Sequence, residues 1–403
     1  MPTIAHCVFG LGCGGAERLL LTTVEGLHKR GYVDQHVLAA DLSTEPMRHY
    51  VEAVSRYATV HEAPTHAELA EYTCSVPPLL RLLPRRILLN IVRHAVALKK
   101  ISPDIVHVWS DNIYAALGAC LANVPKIVIA WQNMALPVWH KLNILPRRAL
   151  PRTYLWRVLY ALLFRWRKDI TCLNVSRAAA DSYAQWLHLD SKSISVLYHG
   201  IDASQWIRNE GPEVAAFRKS LQIADDNAVV IGLMRLDATK RPELWIEVAR
   251  RTREQFPNVS FVLFGDGPLR QKLIPLATRA GVMLAGVGNA HLALSMADIM
   301  LHTPKTDGLG VVYLEAQLMG VPLVSTDTGG APEAVVNGES ALLVAESDNL
   351  AHELTAATLK ILRDEAWRER AAVQGSAFVK DRFSLENNLD NTLHYYGLPL
   401  FAR

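Results

Sequence analysis

Asp307 is followed directly by Gly308, Leu309 and Gly310, then by a helix-like run from Val311 to Met319 that carries Glu315 on its inner turns. The amides of Gly308–Gly310 fall at the start of that helix, where its dipole is positive. Such a terminus suits an anion, and a diphosphate is the obvious one. Val311 opens the helix, and Glu315, four residues on, shares its face. A carboxylate there is placed to accept hydrogen bonds from neutral hydroxyls, such as those of a ribose. Asp307 lies at the mouth, where a sugar or a nucleophile would be. A surface acid and a glycine turn of an ordinary βα unit would use the same residue types one at a time.

Positioning these groups takes a strand before the helix and a firm stop after it. Gly320 and Pro322 end the helix in the usual order, and the apolar run Val321–Ser325 predicts a strand before the turn Thr328-Gly329-Gly330-Ala331-Pro332-Glu333. The same alternation recurs along the chain. Strands are expected at 3–9, 104–109, 126–131, 194–197, 228–233, 259–264, 282–285 and 297–301, with helices between them. That order predicts an α/β protein with parallel, doubly wound sheets. With 403 residues, two domains are expected.

A rival site lies at the other end. Gly10, Gly12 and Gly15 spell G-x-G-x-x-G after the first strand, and Asp41 ends the expected second strand, HVLAAD. Formally this is a dinucleotide fingerprint, and it allows an NAD-dependent oxidoreductase.

An acid, seven residues and a second acid, with G-x-G between, then GVP and a TD.GG.PE turn, resembles the C-terminal signature of retaining glycosyltransferases of family 4. The resemblance implies the GT-B fold: two Rossmann-like domains facing a cleft, with C-terminal helices crossing back to the first. It implies an acceptor-side domain over 1–205, a nucleotide-sugar domain over 206–377 and returning helices over 378–403. Arg235 and Lys240 match the family's two donor-diphosphate cations, which would stabilise the charge growing on the leaving phosphate. Gly265 and Gly267 resemble the turn beside the nucleotide base, and Gly14 and Gly15 resemble the N-terminal glycine loop near the donor. Asp307 then orients sugar hydroxyls, Glu315 takes the ribose, and Gly308, Leu309, Gly310 and Val311 cradle the diphosphate. The chain departs from the pattern in Asp307 for Glu, Leu309 for an aromatic and Met234 for Gly. Gln132 stands where many relatives have a histidine, and Gln cannot act as a base. A sugar-binding GT-B protein without activity, or an epimerase of that fold, is the remaining alternative.

The resemblance implies no cofactor beyond a UDP- or GDP-sugar co-substrate, no catalytic metal, and a glycan or polyprenyl-linked glycan acceptor of surface-polysaccharide or lipopolysaccharide assembly. PDIVHVW is a family-like phrase, in which His107 reads as a core histidine. Tyr198-His199-Gly200-Ile201-Asp202 reads as the interdomain link.

Charge is uneven. Residues 1–200 carry +8 and the remainder −5, and residues 79–168 alone hold 15 Lys/Arg against Asp104 and Asp111. Arg85, Arg86, Arg147, Arg148, Arg165 and Arg167 lie near Leu, Trp and Tyr, a composition suited to an anionic membrane surface. No nucleic-acid motif accompanies it, and no nucleic-acid partner is expected. No run is long and apolar enough to span a membrane. The N-terminus lacks a basic stretch before its apolar run, and the five cysteines, Cys7, Cys13, Cys74, Cys120 and Cys172, lack metal-ligand spacing. A cytoplasmic protein, peripheral on the inner face of the plasma membrane, is expected.

Overall fold

A computed structural model describes residues 1–12, 14–67, 69, 78–135 and 150–400. Cys13, Cys74, Arg147 and Arg148 lie outside the described residues. The chain divides into two compact units.

The first unit holds Met1–Val138, Pro146–Gly200 and Leu385–Arg403. Among its described residues, seven strands form one sheet: β1 Ile4–Val8, β2 Gln35–Ala39, β3 Thr59–Glu62, β4 Ile105–Trp109, β5 Lys126–Trp131, β6 Thr171–Asn174 and β7 Ile194–Val196. Their order is β3-β2-β1-β4-β5-β6-β7, and every pairing is parallel. Strands β1 and β4 are buried along their whole length, because helices cover both faces. One face packs Ile91, Leu98, Ile113, Leu159 and Tyr183; the other packs Leu27, Tyr32, Leu389, Leu393 and Tyr396. The second face is completed by helix Leu385–Tyr396. Leu389 of that helix fills the space beside Gly26, where a Cβ would come within 2.5 Å. Arg30 anchors it further through Glu386 and Asp390. The described cysteines, Cys7, Cys120 and Cys172, are buried free thiols.

The second unit holds Trp139–Leu145 and Ile201–Ser384. Six strands form its sheet among the described residues: β8 Ala228–Leu233, β9 Val259–Phe264, β10 Met283–Gly286, β11 Ile299–His302, β12 Leu323–Thr326 and β13 Ala341–Val344. The order β10-β9-β8-β11-β12-β13 is again fully parallel. Helix Glu365–Arg382 stays with this unit, where Gly375 packs on Gln317. The chain leaves the unit at Ser384, beside its entry: Ile201 donates to the Phe383 carbonyl at 2.9 Å and bridges Ser384.

The glycine fingerprint near the N-terminus has an internal explanation. A Cβ on Gly10 would meet Met47 Sδ at 2.8 Å, and one on Gly12 would meet the Pro46 carbonyl at 3.0 Å. Leu11 is bonded to the same segment through Met47 and Tyr50. The chain's own 45–50 turn therefore accounts for Gly10 and Gly12 without a ligand. Asp41 lies beyond β2, not in it, and caps Ser43 through its N at 2.9 Å and its Oγ at 2.6 Å.

Candidate active site

Two loops at the carboxyl ends of β8 and β11 build the site in the second unit, which is where ligands bind in open parallel sheets. The first runs from Met234 to Arg241. Asp237 folds it, accepting from the Thr239 amide at 2.9 Å and the Lys240 amide at 3.3 Å. Arg235 pairs with Asp237 at 3.2 Å and keeps a side chain 72% exposed. Lys240 turns inward.

The second loop, 303–310, carries Asp307. Lys240 Nζ forms an ion pair with Asp307 Oδ2, at side-chain exposures of 22% and 12%. Burial alone would push the Asp307 carboxyl up, but the Lys240 charge beside it outweighs burial and holds it below the usual carboxylate range. Asp307 is therefore ionised at any physiological pH. Its carboxylate lies against Gly310, the residue that caps helix Val311–Leu318: a Cβ on Gly310 would sit 3.0 Å from Oδ2. Glu315 is buried within that helix, at 1% exposure. Leu309 is buried at 3%, so it supports the loop from below.

The loops are stapled to each other. Lys305 N donates to the Thr239 carbonyl at 2.7 Å, and Thr303 Oγ1 to the Lys240 carbonyl at 3.0 Å. Arg241, at φ 51°, donates to the carbonyls of Thr303 at 3.0 Å and Pro304 at 2.6 Å and pairs with Glu346. Gly329 closes the far side with φ 55°; a Cβ there would lie 1.8 Å from the Asp307 carbonyl. Gly265, at φ 132°, is demanded in the same way by the Met234 carbonyl, 1.8 Å from its missing Cβ. Gly267 follows it against the Leu236 carbonyl.

The structure thus joins Arg235, Lys240, Asp307, Gly308, Leu309, Gly310, Val311 and Glu315 in one constellation, with Gly265 and Gly267 packed on the Met234–Leu236 backbone. Gly14 and Gly15 belong to the first unit, where Gly14 caps helix Gly15–Lys29. The Glu17 carboxylate lies over Gly14, and burial pushes it up.

Sequence reasoning passed over His302. It ends β11 at 1% exposure, with Nε2 3.6 Å from Asp307 Oδ2 and the Tyr313 ring edge-on at 5.3 Å. Neither ring nitrogen has a hydrogen-bond partner among the described residues, and Thr306 Oγ1 nearby is likewise unpartnered. Burial keeps the imidazole neutral. A histidine at a strand end five residues before an acid carries no motif, so only the fold reveals the contact.

Residues 213–377 match the family described as Glycosyl transferases group 1, and residues 13–205 match Glycosyltransferase Family 4. The chain belongs to the glycosyltransferases of the family 4 type. It is similar to the Vi polysaccharide biosynthesis protein VipC/TviE of Salmonella typhi, 27% identical over 296 residues, 70% of this chain and 49% of that protein. It is also similar to a GDP-mannose-dependent alpha-(1-6)-phosphatidylinositol monomannoside mannosyltransferase of Mycolicibacterium smegmatis. That pair is 29% identical, over 46% of this chain and 51% of the other. The chain spans about half the length of the curated relatives it matches. Among solved structures, HepE of Anabaena, in complex with UDP and glucose, superposes with TM-score 0.78 at 18% identity, over 98% of this chain and 100% of that one. WaaG, a glycosyltransferase involved in lipopolysaccharide biosynthesis, superposes with TM-score 0.71 at 16% identity, over 96% of this chain and 98% of that one. The fold is GT-B.

Proposed function

We propose that this chain is a retaining, metal-independent glycosyltransferase that moves a hexose from a UDP- or GDP-sugar to a lipid-linked glycan acceptor in surface-polysaccharide or lipopolysaccharide assembly. The Lys240–Asp307 pair at the N-terminus of helix Val311–Leu318, with Glu315 one turn in, carries this reading. Arg235, Lys240 and the Gly308–Gly310 segment hold the diphosphate. Glu315 takes the ribose, and Gly265 and Gly267 border the base. Charge neutralisation by these groups does the work a metal would do. Asp307 is tied to Lys240, which suits it to orient sugar hydroxyls better than to displace the nucleotide. The leaving phosphate then takes the acceptor's proton on the same face, and configuration is retained. The neighbours' complexes with UDP and UDP-glucose and the relatives' dependence on GDP-mannose support this donor class. The first unit is the acceptor side.

The acceptor reading includes a membrane surface at the cytoplasmic face. Helix Leu150–Trp166 buries Trp156, Leu159, Tyr160 and Leu163, and exposes Tyr154, Val158 and Trp166 at 64%, 52% and 43% beside Arg165. Leu82, 81% exposed, stands among exposed Arg81, Arg85 and Arg86. Arg167 leaves this set: it pairs with Asp169 and donates to the Val124 and Pro125 carbonyls, so its role is structural. No described helix is long and apolar enough to cross a membrane.

The test is transfer from UDP- and GDP-hexoses to lipid extracts, with the product anomer read by NMR. A product with the donor's anomeric configuration is expected. An inverted product would overturn retention, and strict dependence on a divalent cation would overturn metal independence.

A further inference from the structure

In the second unit, His302 is a buried titratable side chain that the chemistry above leaves unused. It ends β11 at 1% exposure, and neither Nδ1 nor Nε2 has a hydrogen-bond partner among the described residues. A leucine at that place would cost nothing to bury, whereas an unsatisfied imidazole costs the desolvation of both nitrogens. Native folds rarely leave such atoms without a use.

Hydroxyls close to the ring are engaged elsewhere. Tyr313 meets the imidazole edge-on, with ring centres 5.3 Å apart, and its hydroxyl lies on Ser325 Oγ at 2.8 Å. Ser325 is the register partner of His302 on β12, and its hydroxyl also reaches the Thr326 carbonyl at 3.2 Å. Thr303 Oγ1 donates to the carbonyls of Lys240 and Arg241, at 3.0 and 3.2 Å. The acceptor that faces Nε2 is Asp307 Oδ2, at 3.6 Å. A carboxylate only accepts, so Nε2 must carry the imidazole's proton. The contact is about 0.6 Å longer than an ordinary N–H···O bond. The same carboxylate oxygen is held by Lys240 Nζ.

Lys240 cannot serve Asp307 alone once a diphosphate arrives. The leaving phosphates carry more charge than one carboxylate and compete for the same ammonium. Asp307, only 12% exposed, then loses part of its compensation, with little water at hand to replace it. We propose that His302 is a positioning residue: its Nε2–H closes on Asp307 Oδ2 when a nucleotide diphosphate draws Lys240 away, and so keeps the carboxylate aimed at the sugar hydroxyls. This rests on the donor site proposed above. Burial keeps the ring neutral, so it adds a donor without adding a charge that would compete with Lys240 for the diphosphate.

Nitrogen-15 NMR of the full chain labelled at histidine tests it, with the His302 signal identified by its loss in His302→Gln. The Nε2–H tautomer is expected in the free protein. Saturating UDP or GDP should move the Nε2–H proton downfield while the ring stays neutral. An Nδ1–H tautomer, or nucleotide binding without a response at His302, would overturn the proposal and leave the donor site intact. Failure of both nucleotides to bind would remove the donor site itself, and the proposal with it. Turnover gives a second reading. His302→Phe keeps a ring and removes both nitrogens, and should lower kcat about tenfold or more, as a misaimed group does, with the Kd for UDP or GDP unchanged. His302→Gln returns a donor near the place of Nε2 and should recover most of that loss. Equal losses in the two variants, in step with their melting temperatures, would mean that His302 only fills space and would overturn the proposal.

Discussion

Arg235 and Lys240 read alike in the sequence, as two basic loop residues, but the fold separates them. Arg235 is mostly exposed and can be removed without disturbing the packing. Arg235→Ala should lower turnover about a hundredfold, the usual loss for one preorganised charge-stabilising group, with an unchanged melting temperature. Lys240→Ala should lose activity and stability together, because it strands Asp307 half in the protein interior. Parallel kinetics and melting curves check the split; equal melting losses for the two variants would contradict it. The spacing of Arg235, Lys240, Asp307 and Glu315 was legible because it follows a family pattern. The burial difference was not, since it depends on which cation the 303–310 loop reaches. Asp307→Glu should stay active and Asp307→Asn should lose much more, because an amide is a weaker acceptor for a sugar hydroxyl and half donor. If both match wild type in a turnover assay, Asp307 is only a helix-terminal charge. In the fold Asp307 sits below its ordinary value, so its contribution to stability is complete above about pH 4. It is lost as pH falls further, through the folded value.

At the scale of elements, the βα alternation was readable because buried parallel strands are short apolar runs bounded by turn residues. Strand β3, with its TVHE edge sequence, escaped because a half-exposed edge strand lacks that run; β13, ALLV, is such a run but is very short. The Arg241 staple also escaped: its partners are backbone carbonyls, which leave no mark in a sequence. Arg241→Ala should speed amide exchange across 303–310 and lower kcat/KM while Asp237 keeps its own loop folded; unchanged exchange would contradict the staple. Helix Leu150–Trp166 has two faces that composition could not resolve, one packed in the core and the other exposing Tyr154, Val158 and Arg165. Charge reversal at Arg85, Arg86 and Arg165 should abolish flotation with anionic vesicles at low salt, each cation being worth about 1 kcal/mol at such a surface. Equal recovery of wild-type protein in the soluble fraction with anionic and neutral vesicles would end the membrane reading.

For the whole molecule, acid should act unevenly. His6, His94 and His107 are buried in the first unit and held neutral by burial, the first two at about 4. In the second unit His302 is shifted the same way. Each lies below its unfolded value, so the unfolded chain gains its proton first, and stability falls as pH drops below about 6.5. Among the described residues, three such fully buried groups against one, with the partly buried His61 of the first unit shifted the same way, make the first unit the more acid-labile, which calorimetry between pH 7.5 and 5 should show as its transition falling faster; equal shifts would contradict this. The two-unit GT-B architecture was legible from length, alternation and resemblance. The paths by which the last helix returns and the 45–50 turn fills the glycine loop were not, because both are long-range packing.

The central claim is that the second unit binds a nucleotide diphosphate sugar through Arg235, Lys240 and the Gly308–Gly310 terminus. Thermal shift with UDP-, GDP- and ADP-sugars tests it most directly. A ligand at a hundred times its Kd adds about 2.7 kcal/mol, which for a unit of this size is a rise of roughly 5–10 °C. One UDP- or GDP-sugar should raise the second unit's transition by that order in the wild type, and by far less in Arg235→Ala. No shift with any nucleotide sugar, or an equal shift in the variant, would contradict the account.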